Sequence, residues 1–194
     1  MSAITLEKLI KWRREFHQYP EIGWSEFLTT AKIVKELRSL GLDVKVGPDV
    51  INQEFAFGRR RQVVEKGLAV AREHKVDEAL LDEMKELTGC VAIFDSGKAG
   101  PTVALRFDID CVGVNEATET KHRPHAENFA SCHAGEMHAC GHDGHISIGL
   151  GVAHWLVENK DKVVGKVKIL FQPAEEGVRG ARAMAESGIA DDAD

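Results

Sequence analysis

His138-Ala139-Cys140-Gly141-His142-Asp143-Gly144-His145 places five metal-capable side chains in eight positions and runs straight into an apolar segment. On an extended backbone alternate side chains share a face, so Cys140 and His142 can point at one spot. A thiolate beside an imidazole suits zinc and its neighbours in the transition series. Gly141 and Gly144 permit a tight path, and Asp143 is a good N-cap for the apolar run behind it. A structural zinc knuckle would supply Cys-x-x-Cys pairs, and this stretch has none. The expectation is a metal-binding loop leading into a helix over about 143–159. That helix is apolar almost all round (Ile146, Ile148, Leu150, Val152, Trp155, Leu156), which predicts burial. A helix buried on all sides needs other elements packed around it, and the flanking sequence supplies them.

Residues 166–171 read as a strand, and residues 178–187 as a final helix closed by Gly188. Upstream, residues 90–94 and 102–107 are strands joined by Ser96-Gly97-Lys98-Ala99-Gly100-Pro101, a tract that predicts a hairpin connection. Val103-Ala104-Leu105 is continuously apolar, as a strand covered on both faces would be. Leu6, Leu9, Trp12 and Phe16 recur at helical spacing in a first helix ending before Pro20. A second helix starts near Ser25, buries Phe27, Ala31, Val34 and Leu37, and stops at Gly41; residues 42–46 then alternate like a strand. Two charged helices between about 59 and 87 form a helical insertion, at about 52–88, packed on one edge. Helices alternating with strands predict an α/β layered sheet. Residues 111–138 lack periodicity, and long loops of that kind tend to carry function.

Composition narrows the function classes. The chain has 194 residues, 43% of them hydrophobic, enough for one domain with a real core. A net charge of −6 argues against nucleic acid, and Arg59-Arg60-Arg61, the one basic run, reads as the solvated start of a helix. No apolar run approaches the length that spans a bilayer, and the charged amphipathic N-terminus is no signal peptide. Cys90, Cys111, Cys132 and Cys140 lack framework spacing and fit a reducing cytoplasm.

Open α/β sheets place their sites beyond the carboxyl ends of strands. Three clusters fall in such places: Asp108 with Asp110, Cys140 with His142, and Glu175 with Glu176. Adjacent side chains diverge, so Glu175 and Glu176 can divide the labour, one binding metal and one taking a proton from water. The Asp-x-Asp pair can orient an imidazole ligand. His17, His74 and His154 sit in helical patterns and read as ordinary surface or core residues. His122, His125 and His133 could line a pocket or lie in a solvated loop, with equal weight.

Trp12-Arg13-Arg14-Glu15-Phe16-His17 with Pro20-Glu21, then Leu105-Arg106-Phe107-Asp108-Ile109-Asp110, residues 137–145, and Phe171-Gln172-Pro173-Ala174-Glu175-Glu176-Gly177 together resemble the amidohydrolase branch of the co-catalytic metallopeptidases, peptidase family M-20. The insertion after Val50-Ile51-Asn52, with His122-Arg123-Pro124 and Phe129-Ala130-Ser131-Cys132, resembles the members that cleave p-aminobenzoyl-glutamate. The resemblance implies a zinc-exopeptidase-like fold with helices on both faces of a mostly parallel mixed sheet. It implies two divalent metal ions, zinc or manganese, with Cys140, His142 and Glu176 as ligands, Glu175 as general base and Asp110 as the carboxylate behind an imidazole ligand.

That family continues through a further histidine ligand, a lid domain that dimerises and a last histidine ligand. The expectation is therefore that residues 1–194 are the N-terminal portion of a catalytic domain, without the lid and with weak metal binding and little turnover alone. The implied activity is hydrolysis of an N-acyl amino acid, p-aminobenzoyl-glutamate to p-aminobenzoate and glutamate, in the cytoplasm. The implied partners are the small substrate and a second hydrolase subunit or a second copy. The rival is a non-catalytic subunit that binds a partner chain. A structural zinc module is disfavoured by the missing Cys-x-x-Cys pairs.

Overall fold

The structure, a computed structural model, describes residues 4–194. Helix α1 (Leu6–Gln18) opens on Thr5, whose side chain accepts from Lys8 N, and buries Trp12, Phe16 and His17. Helix α2 (Phe27–Ser39) has its first amides served from upstream: the Glu21 carboxylate accepts from Leu28 N at 3.2 Å and Thr29 N at 2.7 Å. Then follow β1 (Asp43–Val46), α3 (Arg61–Glu73), α4 (Glu78–Met84), β2 (Cys90–Asp95) and β3 (Thr102–Asp108). The short α5 (Arg123–Ala126) lies in the long loop, and α6 (His142–Glu158), β4 (Lys166–Gln172) and α7 (Gly180–Ala185) complete the chain.

The four strands form one mixed sheet in the order β1-β2-β4-β3. The layered α/β class is as expected, but two features of the expected sheet are corrected. Only β3 and β4 pair in parallel, while β1–β2 and β2–β4 are antiparallel, so the sheet is not mostly parallel. Nor do β2 and β3 form a hairpin, because β4 lies between them. The tract 96–101 instead wraps the start of β4: Ser96 N donates to Gly165 O, Gly165 N to Lys98 O and Lys166 N to Pro101 O. Gly165 is at φ +74°, and a Cβ there would stand 2.0 Å from Pro101 O, so only glycine fits.

Burial explains the strand order. Strand β4 is buried at every position after Lys166, as a central strand should be. Strand β3 is an edge, not a strand covered on both faces, and Val103 is 43% exposed. Residues alternate between faces along the inner strands. Cys90, Ala92, Phe94, Val167, Ile169 and Phe171 join α1, α2 and α6 in the larger core, which also takes Val64, Leu68, Ala71, Leu81 and Met84 from α3 and α4. Val91 and Leu170 face the other way, against Trp24, Ile51, Leu87, Ala183 and Met184. Helix α6 buries Ile146, Leu150, Ala153 and Leu156, but Ile148 and Trp155 are 56% and 49% exposed, against the expectation of burial all round. The last helix is shorter than expected, and Val178 lies before it, exposed.

Candidate metal centre

Because β3 and β4 run parallel in register, Asp108 pairs with Gln172 and the chain leaves both strands on the same side. The β3–α6–β4 crossover brings the first turn of α6 to that rim. Asp108, Asp110, His142, Glu175 and Glu176 converge there, although 64 residues separate β3's last residue from β4's, Asp108 from Gln172.

Asp110 is completely buried and organises the rim. Its Oδ1 accepts from Glu175 N at 3.0 Å and its Oδ2 from Glu176 N at 3.1 Å. Its carbonyl oxygen takes His142 Nδ1 at 2.8 Å. A carbonyl can only accept, so Nδ1 of His142 carries a proton, which leaves Nε2 as the ring nitrogen available to a metal. The imidazole is thus held chiefly by the backbone of Asp110, with the carboxylate Oδ1 at 3.5 Å. Burial disfavours charge on His142, but the Asp110 hydrogen bonds and the Asp110 and Asp108 carboxylates outweigh it and raise its pKa to about 9.

His142 Nε2 stands 3.8 Å from Glu175 Oε2. His142, Glu175 and Glu176 each offer a ligand atom within 4.8 Å of the others. Asp108, His142 and His145 do the same; the two imidazole rings stack at 5.2 Å and His145 Nδ1 lies 3.3 Å from Asp108 Oδ2. Cys140 belongs to neither trio. It is exposed at the rim, where a hydrogen bond to Glu176 and the nearby carboxylates push its thiol up to about 11. Such a cluster calls for a cation. Glu176 Oε1 and Asp108 Oδ1, one from each trio, are buried with no hydrogen-bond partner, and a divalent ion at either trio would satisfy an orphaned oxygen and relieve the crowded charge. The donor set of imidazole, thiolate and carboxylate fits one.

Several residues have roles that their sequence positions concealed. Asp143 is not the N-cap of α6; that position is Gly141, at φ +88°. Asp143 is buried and its Oδ2 meets His17 Nδ1 at 2.9 Å and Arg13 Nε at 3.2 Å. His17 is thereby no ordinary helix residue. Its Nε2 lies 2.8 Å from Glu116 Oε1, which also meets His122 Nε2 at 2.7 Å. This bracket ties the long loop to α1 and α6. His133 is likewise tethered, to Pro20 O at 2.7 Å, while His125 is exposed. His138 is buried without a partner at either ring nitrogen, and burial lowers its pKa to about 4.

A parallel strand pair whose carboxyl ends gather imidazole, thiol and paired carboxylates makes an α/β rim suited to holding metal. Residues 104–194 match the model of peptidase family M20/M25/M40. The chain is 58% identical over 192 residues to a p-aminobenzoyl-glutamate hydrolase subunit homolog of Haemophilus influenzae, covering 98% of this chain and 45% of that protein. The crystal structure of the aminobenzoyl-glutamate utilization protein of Klebsiella pneumoniae superposes with a TM-score of 0.77 at 35% identity, covering 97% of this chain and 42% of that one. A Bacillus subtilis dinuclear metal-binding peptidase of the M20 family gives 0.70 at 29% identity, with 96% and 40% covered. The chain thus spans less than half the length of the relatives it matches.

Proposed function

We propose that this chain is the metal-bearing N-terminal portion of a catalytic domain that hydrolyses N-acyl amino acids, with p-aminobenzoyl-glutamate as substrate and p-aminobenzoate and glutamate as products. The observation that carries the reading is the Asp110 clamp, which holds Glu175 3.8 Å from Nε2 and Glu176 3.8 Å from Nδ1 of the same His142 ring. The choice of substrate is supported by the 58% identical relative, a p-aminobenzoyl-glutamate hydrolase homolog by name. His142 through Nε2, Glu176 and Cys140 would hold metal, zinc or manganese, as two ions when the site is complete. Bound metal supplies Lewis acidity and activation of water for amide cleavage. Glu175 is 35% exposed at its side chain and faces the open rim, where it would take the proton of the attacking water. As the C–N bond breaks, the same carboxyl would return that proton to the leaving nitrogen. Asp110 touches no substrate in this scheme; it holds the Glu175 and Glu176 amides and the His142 ring.

The partner of this chain is a second hydrolase subunit or a second copy, a reading supported by the naming of the Haemophilus relative as one subunit of a hydrolase. The setting is the cytoplasm, which the four unpaired cysteines support. No helix among the described residues is long and apolar enough to cross a membrane. In the assembled hydrolase, Glu175→Gln is expected to lower the rate of p-aminobenzoyl-glutamate cleavage by about 10²–10⁴ and leave the metal content unchanged. A rate within a few fold of the unsubstituted protein would remove Glu175 from the mechanism.

A further inference from the structure

Behind the Glu175–Glu176 turn stands another buried carboxylate, Glu26, at the start of α2. It occupies the N-cap position yet makes no capping hydrogen bond, because Glu21 already serves the amides of Leu28 and Thr29. Its side chain turns instead toward the rim. Glu26 Oε1 accepts from Ala174 N at 2.8 Å, and Oε2 lies 2.7 Å from the Thr88 hydroxyl. Ala174 is fully buried and sits at φ +51°, a left-handed conformation that alanine rarely adopts. Gly23 makes room for it: a Cβ on Gly23 would meet Ala174 Cα at 2.9 Å. Asp110 takes the next two amides, so three successive N–H groups, at 174, 175 and 176, point into two buried carboxyl groups.

We propose that Glu26 is a positioning residue for the reactive pair: by binding the Ala174 amide it holds the left-handed turn that aims Glu175 and Glu176 at His142. This rests on the reading of that pair given above. Complete burial, then the Asp110 charge nearby, raise the Glu26 pKa above the ordinary carboxylate range. Glu26 Oε1 accepts from Ala174 N and Oε2 accepts from the Thr88 hydroxyl. A glutamine keeps a carbonyl acceptor for Ala174 N and offers an N–H that the Thr88 hydroxyl, turned about its C–O bond, can accept, whereas aspartate, one methylene shorter, does not reach.

The test compares Glu26→Gln, Glu26→Asp and Glu26→Ala with the unsubstituted chain by amide hydrogen exchange. Glu26→Ala and Glu26→Asp should speed exchange at 174–176 by about tenfold or more, with β2 and β4 unaffected, and Glu26→Gln should stay within about threefold. If Glu26→Ala fails to fold, the aspartate and glutamine variants decide between themselves. Unchanged exchange at 174–176, equal acceleration in all variants, or acceleration spread equally over β2 and β4 would overturn the proposal. Added cobalt(II) gives a second readout through the Cys140 thiolate-to-cobalt band, which should shift in Glu26→Ala and be restored in Glu26→Gln. Absence of that band in the unsubstituted chain would count against the metal reading alone, and the exchange comparison would still decide the role of Glu26.

Discussion

His17 shows how a single side chain can anchor a loop. Burial opposes its charge, but hydrogen bonds to Asp143 and Glu116 prevail and raise its pKa, while those two carboxyls are held below their ordinary values. A raised histidine contributes stability that is fully present below its unfolded pKa of about 6.5 and is lost as pH climbs through the raised folded value. Urea unfolding of His17→Gln should therefore show a loss of about 1.5–3 kcal/mol at pH 6, shrinking at pH 9. An equal loss at both pH values would mean that His17 acts through shape alone. Asp110, His142, Glu175 and Glu176 were legible in the sequence because each follows a strand or opens a helix, where chemistry of this kind collects. His17 and Glu26 were not. Their partners lie 126 and 148 residues away, and no local pattern encodes such a contact.

Among the elements, the helices were the easier to read. The periodicity of Trp12 and Phe16, and of Val64, Leu68 and Ala71, survives intact in α1 and α3. Strand pairing was less legible, because the turn-rich tract 96–101 looks the same whether it closes a hairpin or wraps a neighbour's end. What separates the two is Gly165, whose backbone Pro101 presses against from one residue before β4. Replacing it, Gly165→Ala, combines a left-handed alanine with a steric clash and should cost about 1–3 kcal/mol. For a chain of this size the melting temperature should fall by roughly 2–12 °C. A melting temperature unchanged by the substitution would show that the wrap is not needed to hold β4.

For the molecule as a whole, the outer edge of β3 and the exposed side chains of α6 dominate. Val103, Ile148 and Trp155 are each more than 40% exposed. Asp194 pairs with this edge at Thr102, but no further strand among the described residues covers it. An edge of that kind with apolar side chains is a template for association, so the 21.3 kDa chain should sediment above monomer mass at micromolar concentration. Val103→Lys should move it toward monomer, and a chain already monomeric without the substitution would refute that expectation. The sheet order has a further consequence, for synthesis. The ribosome makes β4 last of the four strands, yet β4 occupies an inner place between β2 and β3. Until residues 166–172 leave the exit tunnel, β2 and β3 wait with facing edges open, and the newest segment must then slot between older ones. The nascent chain is most vulnerable to mispairing in that interval, and a chaperone that shields strand edges would act there.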